Sequence, residues 1–260
     1  MSTNALEGKV ALVTGSSRAI GAAVVKRLAA DGASVVVNYN SSADAANALV
    51  DEIHATTPGK AVALKGNMSS LDDARNIIEE TVKHFGKLDI LVLNAGLMNN
   101  MALTDVNEQA FDDHFNVNVK IPLFMVQAAS KHMQTGGRVF FIGSSVTIFS
   151  GIPPNYLLYA ATKGAIEQMT RVLSKDLGAR GINVNCIAPG PTNTELFTTG
   201  KSEQLLQFFS GLHPAKRIAE TDEIAPMLAM LSRDEASWIN GQTIYVNGVS
   251  DKFPRRSTCH

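Results

Sequence analysis

Tyr159 and Lys163 stand four residues apart in NYLLYAATKGAIEQMTRVLSKDL. At helical pitch that spacing puts both side chains on one face. A free tyrosine hydroxyl titrates near ~10 and is a poor acid or base at neutral pH. An ammonium beside it favours the phenolate and lowers that value. Such a pair is one way to build a proton donor for a carbonyl group. Alone it is also common on ordinary helix surfaces, so its meaning depends on its surroundings.

Upstream lies a nucleotide-binding pattern. Residues 9–21 read KVALVTGSSRAIG: an apolar run from Val10 to Val13, then Gly15, a small-residue turn, Gly21 and a helical pattern. A glycine loop between strand and helix lets backbone N–H groups approach a pyrophosphate at the helix N-terminus. A second buried-strand pattern, ASVVVNY (33–39), completes a βαβ unit of the right length.

The elements that must position these residues recur along the chain. Strand-like runs fall at 9–14, 33–39, 61–67, 89–94, 137–143, 182–188 and 242–247, with helical patterns between them. That alternation predicts a parallel sheet covered on both faces. The chain has 260 residues, 45% hydrophobic and 18% charged, enough for one substantial α/β domain. A net charge of −1 gives no electrostatic case for nucleic acid or an anionic membrane. No apolar run approaches the ~20 residues of a membrane span, and MSTNALEGKV indicates no signal peptide. Cys186 and Cys259 make no disulfide framework, which fits a reducing cytoplasm. The six histidines show no metal-binding spacing, so no metal is expected. Met68, Met98 and Met101 read as pocket or core filler.

With these motifs in order, the chain resembles the short-chain dehydrogenase/reductase family from about Leu6 to Gly248. Thr14, Gly15 and Gly21 match the family's T-G-x-x-x-G-x-G loop, with Ala19 where a middle glycine is usual. A methyl group is accommodated there provided the backbone is not at positive φ. Asn94-Ala95-Gly96, Asn118, Gly143-Ser144-Ser145, Tyr159 with Lys163, and Pro189-Gly190 followed by Thr192 and Thr194 match the remaining motifs in family order. The resemblance implies a single Rossmann-type, doubly wound domain over 1–260, its seven-stranded parallel sheet flanked by helices on both faces. It implies four catalytic residues: Asn118, Ser144, Tyr159 and Lys163. Cofactor contacts are expected from Gly15, Ser17, Arg18, Ile20 and Gly21 in the first loop, and from Asn38 and Ser41 after the second strand. Asn67, where the family more often has Asp, and Met68 follow the third strand. Asn94, Gly96, Tyr159, Lys163, Pro189, Thr192 and Thr194 complete the set. Lys163 would also hold the nicotinamide ribose, and Asn118 would help hold a water in a proton relay. Family members are commonly tetramers, joined through helices near 107–132 and 156–180 and the last strand.

Several choices turn on individual residues. Pro122 follows Asn118 by four and has no N–H for its carbonyl, so that oxygen is freed within the helix. The resemblance implies a serine that binds the substrate carbonyl: counting six residues along the strand from Arg138, as in family members, reaches Ser144, and counting back from Tyr159 by the family's usual spacing favours Ser145. We take Ser144, because a loop absorbs an added residue more easily than a strand does. An NAD site usually presents a carboxylate at the end of the second strand. Here the position is Asn38, and Arg18, Ser41 and Ser42 can meet a phosphate, while Asp44 is too far along. NADP(H) is therefore expected over NAD(H). Tyr156 precedes the helix and reads as pocket rim or packing.

Two irregular stretches, 147–158 and 193–214, leave the carboxyl ends of strands, where open α/β sheets bind ligands. The second, with Leu196, Phe197, Leu205, Leu206, Phe208 and Phe209, reads as a substrate lid or as a packed helix. The expected activity is reduction of a hydrophobic or aromatic ketone or aldehyde, with branches of the family that reduce 3-oxoacyl carrier proteins and polyhydroxynaphthalenes as the nearest resemblance. Oxidation of a sugar or polyol, and a nucleotide-binding regulator without catalysis, are the alternatives. The polar tail, 249–260, is expected to be loose or to reach a neighbouring subunit.

Overall fold

The structure is a computed structural model and describes residues 4–249. All of the tail but Val249, Cys259 included, lies outside the described residues. Short apolar runs form β1 (Val10–Val13), β2 (Ser34–Tyr39), β3 (Ala61–Lys65), β4 (Ile90–Leu93), β5 (Arg138–Ile142), β6 (Asn183–Pro189) and β7 (Thr243–Val246). Between them run α1 (Ala19–Ala30), α2 (Ala43–Thr56), α3 (Leu71–Phe85), α4 (Glu108–Phe115), α5 (Ile121–Ala129), α6 (Leu157–Gly178), α7 (Glu195–Thr198), α8 (Glu203–Leu212) and α9 (Ala225–Leu231). The strands pair in parallel in the order β3-β2-β1-β4-β5-β6-β7. This is the doubly wound seven-stranded sheet that the sequence predicts.

Successive strand residues point to opposite faces. Ala11, Val13, Val35, Val37, Phe140 and Ile142 pack with α1, α2 and α9. Leu12, Val36, Leu91, Val139, Phe141 and Val184 pack with α3, α5 and α6. Burial on both faces explains why β1, β4 and, after Arg138, β5 read as continuous apolar runs, whereas the equally buried β6 carries Asn183 and Asn185, whose side chains donate to backbone carbonyls after α9. The strand order reverses between β1 and β4, and the crevice at their carboxyl ends is where such sheets take a ligand.

The helix expected over 107–132 is broken. A π turn over Asn116–Lys120 separates α4 from α5, and the Ile121 N–H reaches back to the Asn116 carbonyl. Pro122, which supplies no N–H, opens α5 immediately afterwards. The extra residue in the turn absorbs the lost donor and sets Asn118 in the bulge. Tyr156 closes a 3₁₀ turn, Pro154–Tyr156, just before α6 begins.

Candidate active site

Tyr159 and Lys163 leave the first two turns of α6 and are less than a tenth exposed. The Lys163 Nζ donates to the carbonyl of Ile142, the last residue of β5, at 2.7 Å. It stands 5.4 Å from the centre of the Tyr159 ring. Burial pushes the Tyr159 hydroxyl up to about 12, against the opposing pull of a hydrogen bond with Ser144. Burial brings the Lys163 ammonium down to about 8. The lysine alone would lower the phenol. The net direction is the reverse, because taking the phenol out of water outweighs the charge beside it. The result is a neutral hydroxyl that keeps its proton at ordinary pH.

Ser144 caps the short 3₁₀ turn Ser145–Thr147 that leaves β5. Ser145 is buried against the same cleft, but the hydroxyl that meets Tyr159 is that of Ser144. Gly143 brings β5 close to β6: a Cβ there would lie 2.6 Å from the Cys186 Sγ. Asn118 is 1% exposed, and its side chain clamps the loop after β4. Its Oδ1 accepts from the Leu97 N–H at 2.8 Å, and its Nδ2 donates to the Leu97 carbonyl at 2.8 Å and to the Thr162 hydroxyl at 3.1 Å. A Cβ at Gly96 would stand 3.5 Å from Asn118 Oδ1 and 3.8 Å from Lys163 Nζ, so both groups converge beneath that glycine.

The first loop is built to approach an anion. Gly15 has φ +61°, and a Cβ on Gly21 would lie 2.7 Å from Gly15 O, Ser16 Cα and Asn94 Nδ2. Asn94 Nδ2 donates to the carbonyls of Thr14 and Gly15 at 2.9 and 3.1 Å. The Thr14 hydroxyl in turn receives the N–H groups of Asn94 and Ala95. No side chain caps α1 and no acidic residue lies in its first turn, so its leading N–H groups suit a pyrophosphate. Ala19 has φ +52°, contrary to the condition under which its methyl group was expected to fit easily. It holds a left-handed conformation at a cost of about 1 kcal/mol, maintained by the packed loop around it.

Asn38 requires a correction. It is 1% exposed, its Oδ1 accepts from the Gly15 N–H at 2.8 Å, and its Nδ2 donates to the Gly66 carbonyl at 3.0 Å. Its side chain ties three loop segments together and offers nothing to a ribose. The groups at the end of β2 that reach solvent are Asn40, Ser41 and Ser42, and Arg18 of the first loop is exposed as well. Arg18 Nη1 pairs with Glu195 of α7 at 2.6 Å. The Met68 side chain also turns away, into the core against α3, so it presents only backbone. Asn67 Oδ1 accepts from the Ser69 N–H and hydroxyl at 3.0 and 2.9 Å, which occupies the acceptor expected for a base edge. Ser17 is half-buried in the first loop. Ile20, Asn94, Gly96, Pro189, Gly190, Thr192 and Thr194 line the cleft with Ser144, Tyr159 and Lys163. The Thr192 hydroxyl donates to the Gly190 carbonyl at 2.9 Å, and Thr194 caps α7.

The cleft is about 960 Å³ of empty space with the open solvent at its mouth included. Its outer wall is apolar: Met98, Phe149, Ile152, Pro153, Leu196, Phe197, Phe209 and Leu212. Phe209 is buried and meets the edge of Phe197 at 5.2 Å. Lys201 Nζ lies over the rings of Phe197 and Tyr156, at 4.6 and 5.6 Å from their centres. Tyr156 lines the cleft as expected of a rim residue, and its buried hydroxyl meets no partner at hydrogen-bond geometry. Of the aromatic and leucine residues read as a lid or packed helix, Leu196, Phe197 and Phe209 face the cleft, while Leu205, Leu206 and Phe208 do not. Glu195, Lys201, Thr147 and Glu167 escape the sequence reading, because each has a partner distant in the chain: Arg18, Tyr156 and, for the last two, each other. No local pattern signals them.

A family model described as enoyl-(acyl carrier protein) reductase matches residues 15–248. Elsinochrome reductase 1 of Elsinoe fawcettii is 37% identical over 96% of this chain and 97% of its own. A probable tetrahydroxynaphthalene reductase of Zymoseptoria tritici is 36% identical over 95% and 96%. A short-chain dehydrogenase of Burkholderia cenocepacia J2315, solved in complex with NADP, superposes with a TM-score of 0.90 at 36% identity, over 96% of this chain and all of that one.

Proposed function

The chain belongs to the short-chain dehydrogenase/reductase family, and on that footing we propose that it is an NADPH-dependent carbonyl reductase acting on an aromatic or similarly hydrophobic ketone. The observation that carries this reading is a neutral, proton-bearing Tyr159 at the floor of a cleft walled by apolar and aromatic side chains. The tetrahydroxynaphthalene of one relative's name is an aromatic substrate, and the Burkholderia neighbour holds NADP.

The nucleotide loop fits such a cofactor: glycine backbone without side chains, an uncapped helix N-terminus, and exposed Arg18 and Ser41, which would meet a 2′-phosphate. When bound, the reduced nicotinamide supplies hydride to the carbonyl carbon. Tyr159 gives its proton to the carbonyl oxygen, and the Ser144 hydroxyl holds that oxygen and stabilises its developing charge. Lys163 places positive charge beside the phenol and reaches toward the ribose. Asn118 fixes the loop that roofs Lys163 and takes part in the proton relay. The 193–214 segment serves as the lid of a single dinucleotide-binding and catalytic domain.

Assembly and location follow the same reading. Phe111, Leu123, Leu157 and Val172 are exposed on α4, α5 and α6, as expected of helices that meet in a homotetramer. No described helix is long and apolar enough to cross a membrane, and we place the enzyme in the cytoplasm. Sugar or polyol oxidation would call for polar groups where this cleft has Phe149, Ile152, Phe197 and Phe209. The test is a panel of aromatic ketones, quinones, acyl thioesters and sugars, read by NADPH consumption or NADP reduction. Turnover confined to sugars would overturn the proposal.

A further inference from the structure

Glu167 follows Lys163 by one turn of α6 and is 7% exposed, yet it does not line the cleft. A buried carboxylate is costly unless donors meet its oxygens. Here the Thr147 hydroxyl donates to Oε1 at 2.5 Å. The Tyr245 hydroxyl, from β7, reaches the two oxygens at 3.3 and 3.4 Å, and Arg171 Nη2 stands 3.8 Å from Oε2. Thr147 closes the turn that Ser144 opens, with its N–H 3.4 Å and its hydroxyl 3.0 Å from the Ser144 carbonyl oxygen. Among the described residues, Thr147–Glu167 is the side-chain tie between this turn and α6, apart from the contact of Ser144 with Tyr159 itself. The proton donor and the carbonyl-binding hydroxyl thus sit on two elements that a buried carboxylate joins.

We infer that Glu167 is a positioning residue: through Thr147 it fixes the turn that aims the Ser144 hydroxyl at Tyr159 and the substrate oxygen. This rests on the reductase reading, in which Ser144 touches the substrate. The action of Glu167 on Ser144 runs through Thr147, so that part of its effect matters only while there is a Ser144 hydroxyl to aim, whereas its contacts with Tyr245 and Arg171 contribute equally in both backgrounds. An interaction of that kind shows as non-additivity in a double-mutant cycle, whereas a general structural contribution adds in every background.

The experiment measures kcat and KM for a reducible ketone, and the Kd of NADPH, in wild type, Thr147→Val, Glu167→Gln, Ser144→Ala, and each of the first two combined with Ser144→Ala. Thr147→Val keeps shape and removes the hydroxyl. We expect it to lower kcat roughly tenfold, since small misplacements of a reacting group are expensive, with the NADPH Kd within about twofold. Glu167→Gln keeps an acceptor for Thr147 and should lose less, about threefold. On the Ser144→Ala background each should change kcat by less than about twofold. Equal losses in both backgrounds overturn the inference, as does a harmless Thr147→Val beside a damaging Ser144→Ala. A harmless Ser144→Ala overturns it by removing the role of Ser144, and Tyr159→Phe then decides separately whether the reductase reading stands. If Thr147→Val does not fold, the near-isosteric Glu167→Gln cycle gives the same decision.

Discussion

The floor and the outer wall of the cleft are built on different terms. On the floor and in the loops behind it, Asn38, Asn94, Asn118 and Lys163 each commit polar atoms to the backbone of another element, and three of these four are less than a twentieth exposed. On the wall, the 193–214 segment is anchored at its base by hydrogen bonds from Asn193 to Ala219 and Glu220, and beyond that by one buried phenylalanine, edge contacts between rings, Lys201 over the Tyr156 ring, and a surface ion pair from Arg18 to Glu195. Such exposed pairs stabilise by only about 0–1 kcal/mol. Under the proposed function, the contrast means that the reacting groups are placed by bonds that tolerate little displacement, while the surface assigned to substrate selection is placed by contacts that can repack. Changes on the floor should therefore strike kcat, and changes on the wall should strike KM.

The most severe test is Tyr159→Phe. It removes only the hydroxyl and should lower kcat by roughly 10³-fold while NADPH titrations stay unchanged. Near-normal turnover would break the division at once. Ser144→Ala should lower kcat/KM by about 10²-fold, and Ser145→Ala far less. The reverse ranking in the same assay would move the carbonyl-binding hydroxyl by one residue. Third is pH. Lys163 is drawn down to about 8, so its ammonium is present below that value and lost above it. Tyr159, at about 12, stays protonated throughout this range. The reductive kcat/KM profile should then fall on the alkaline side of about 8, about tenfold per pH unit. A flat profile to pH 10 would show that charge on Lys163 is not needed.

Smaller effects sharpen the wall side. Arg18→Ala should weaken NADPH roughly tenfold, as loss of one charge-assisted contact does, and leave NADH nearly unchanged. Equal harm to both cofactors would return Arg18 to a purely structural pairing with Glu195. Phe209→Leu should raise KM for an aromatic ketone by about fivefold, the equivalent of about 1 kcal/mol of lost apolar contact, without moving kcat or the cofactor Kd. A fall in kcat instead would mean that the wall helps place the reacting groups.

What the residues disclosed in advance follows the same division. The strands were legible because central parallel strands are buried on both faces and read as unbroken apolar runs. Tyr159 and Lys163 were legible because four residues is one helical turn. Asn38 was misjudged because sequence gives its place at the strand end but not which way the pleat turns it. Pointing inward, it bonds Gly15 and Gly66 instead of a cofactor. The phenol's direction of shift was misjudged because sequence shows the neighbouring lysine and hides the depth of burial. The π turn was hidden because a single added residue barely disturbs a helical pattern, although Pro122 marked where the ladder would fail. Glu167, Glu195 and Lys201 meet partners across the fold, and nothing local announces such meetings.

The contact between Gly143 and Cys186 imposes an order on descent. A methyl group at 143 collides with the Cys186 sulfur at 2.6 Å, while its next neighbours, Ala188 Cβ and Ile187 O, stand at a comfortable 3.6 Å. Gly143→Ala therefore forces the thiol out of its place in a lineage that still carries it, and meets no such obstacle in one that has already undergone Cys186→Ala. The two positions diverge more readily through one of the two possible histories.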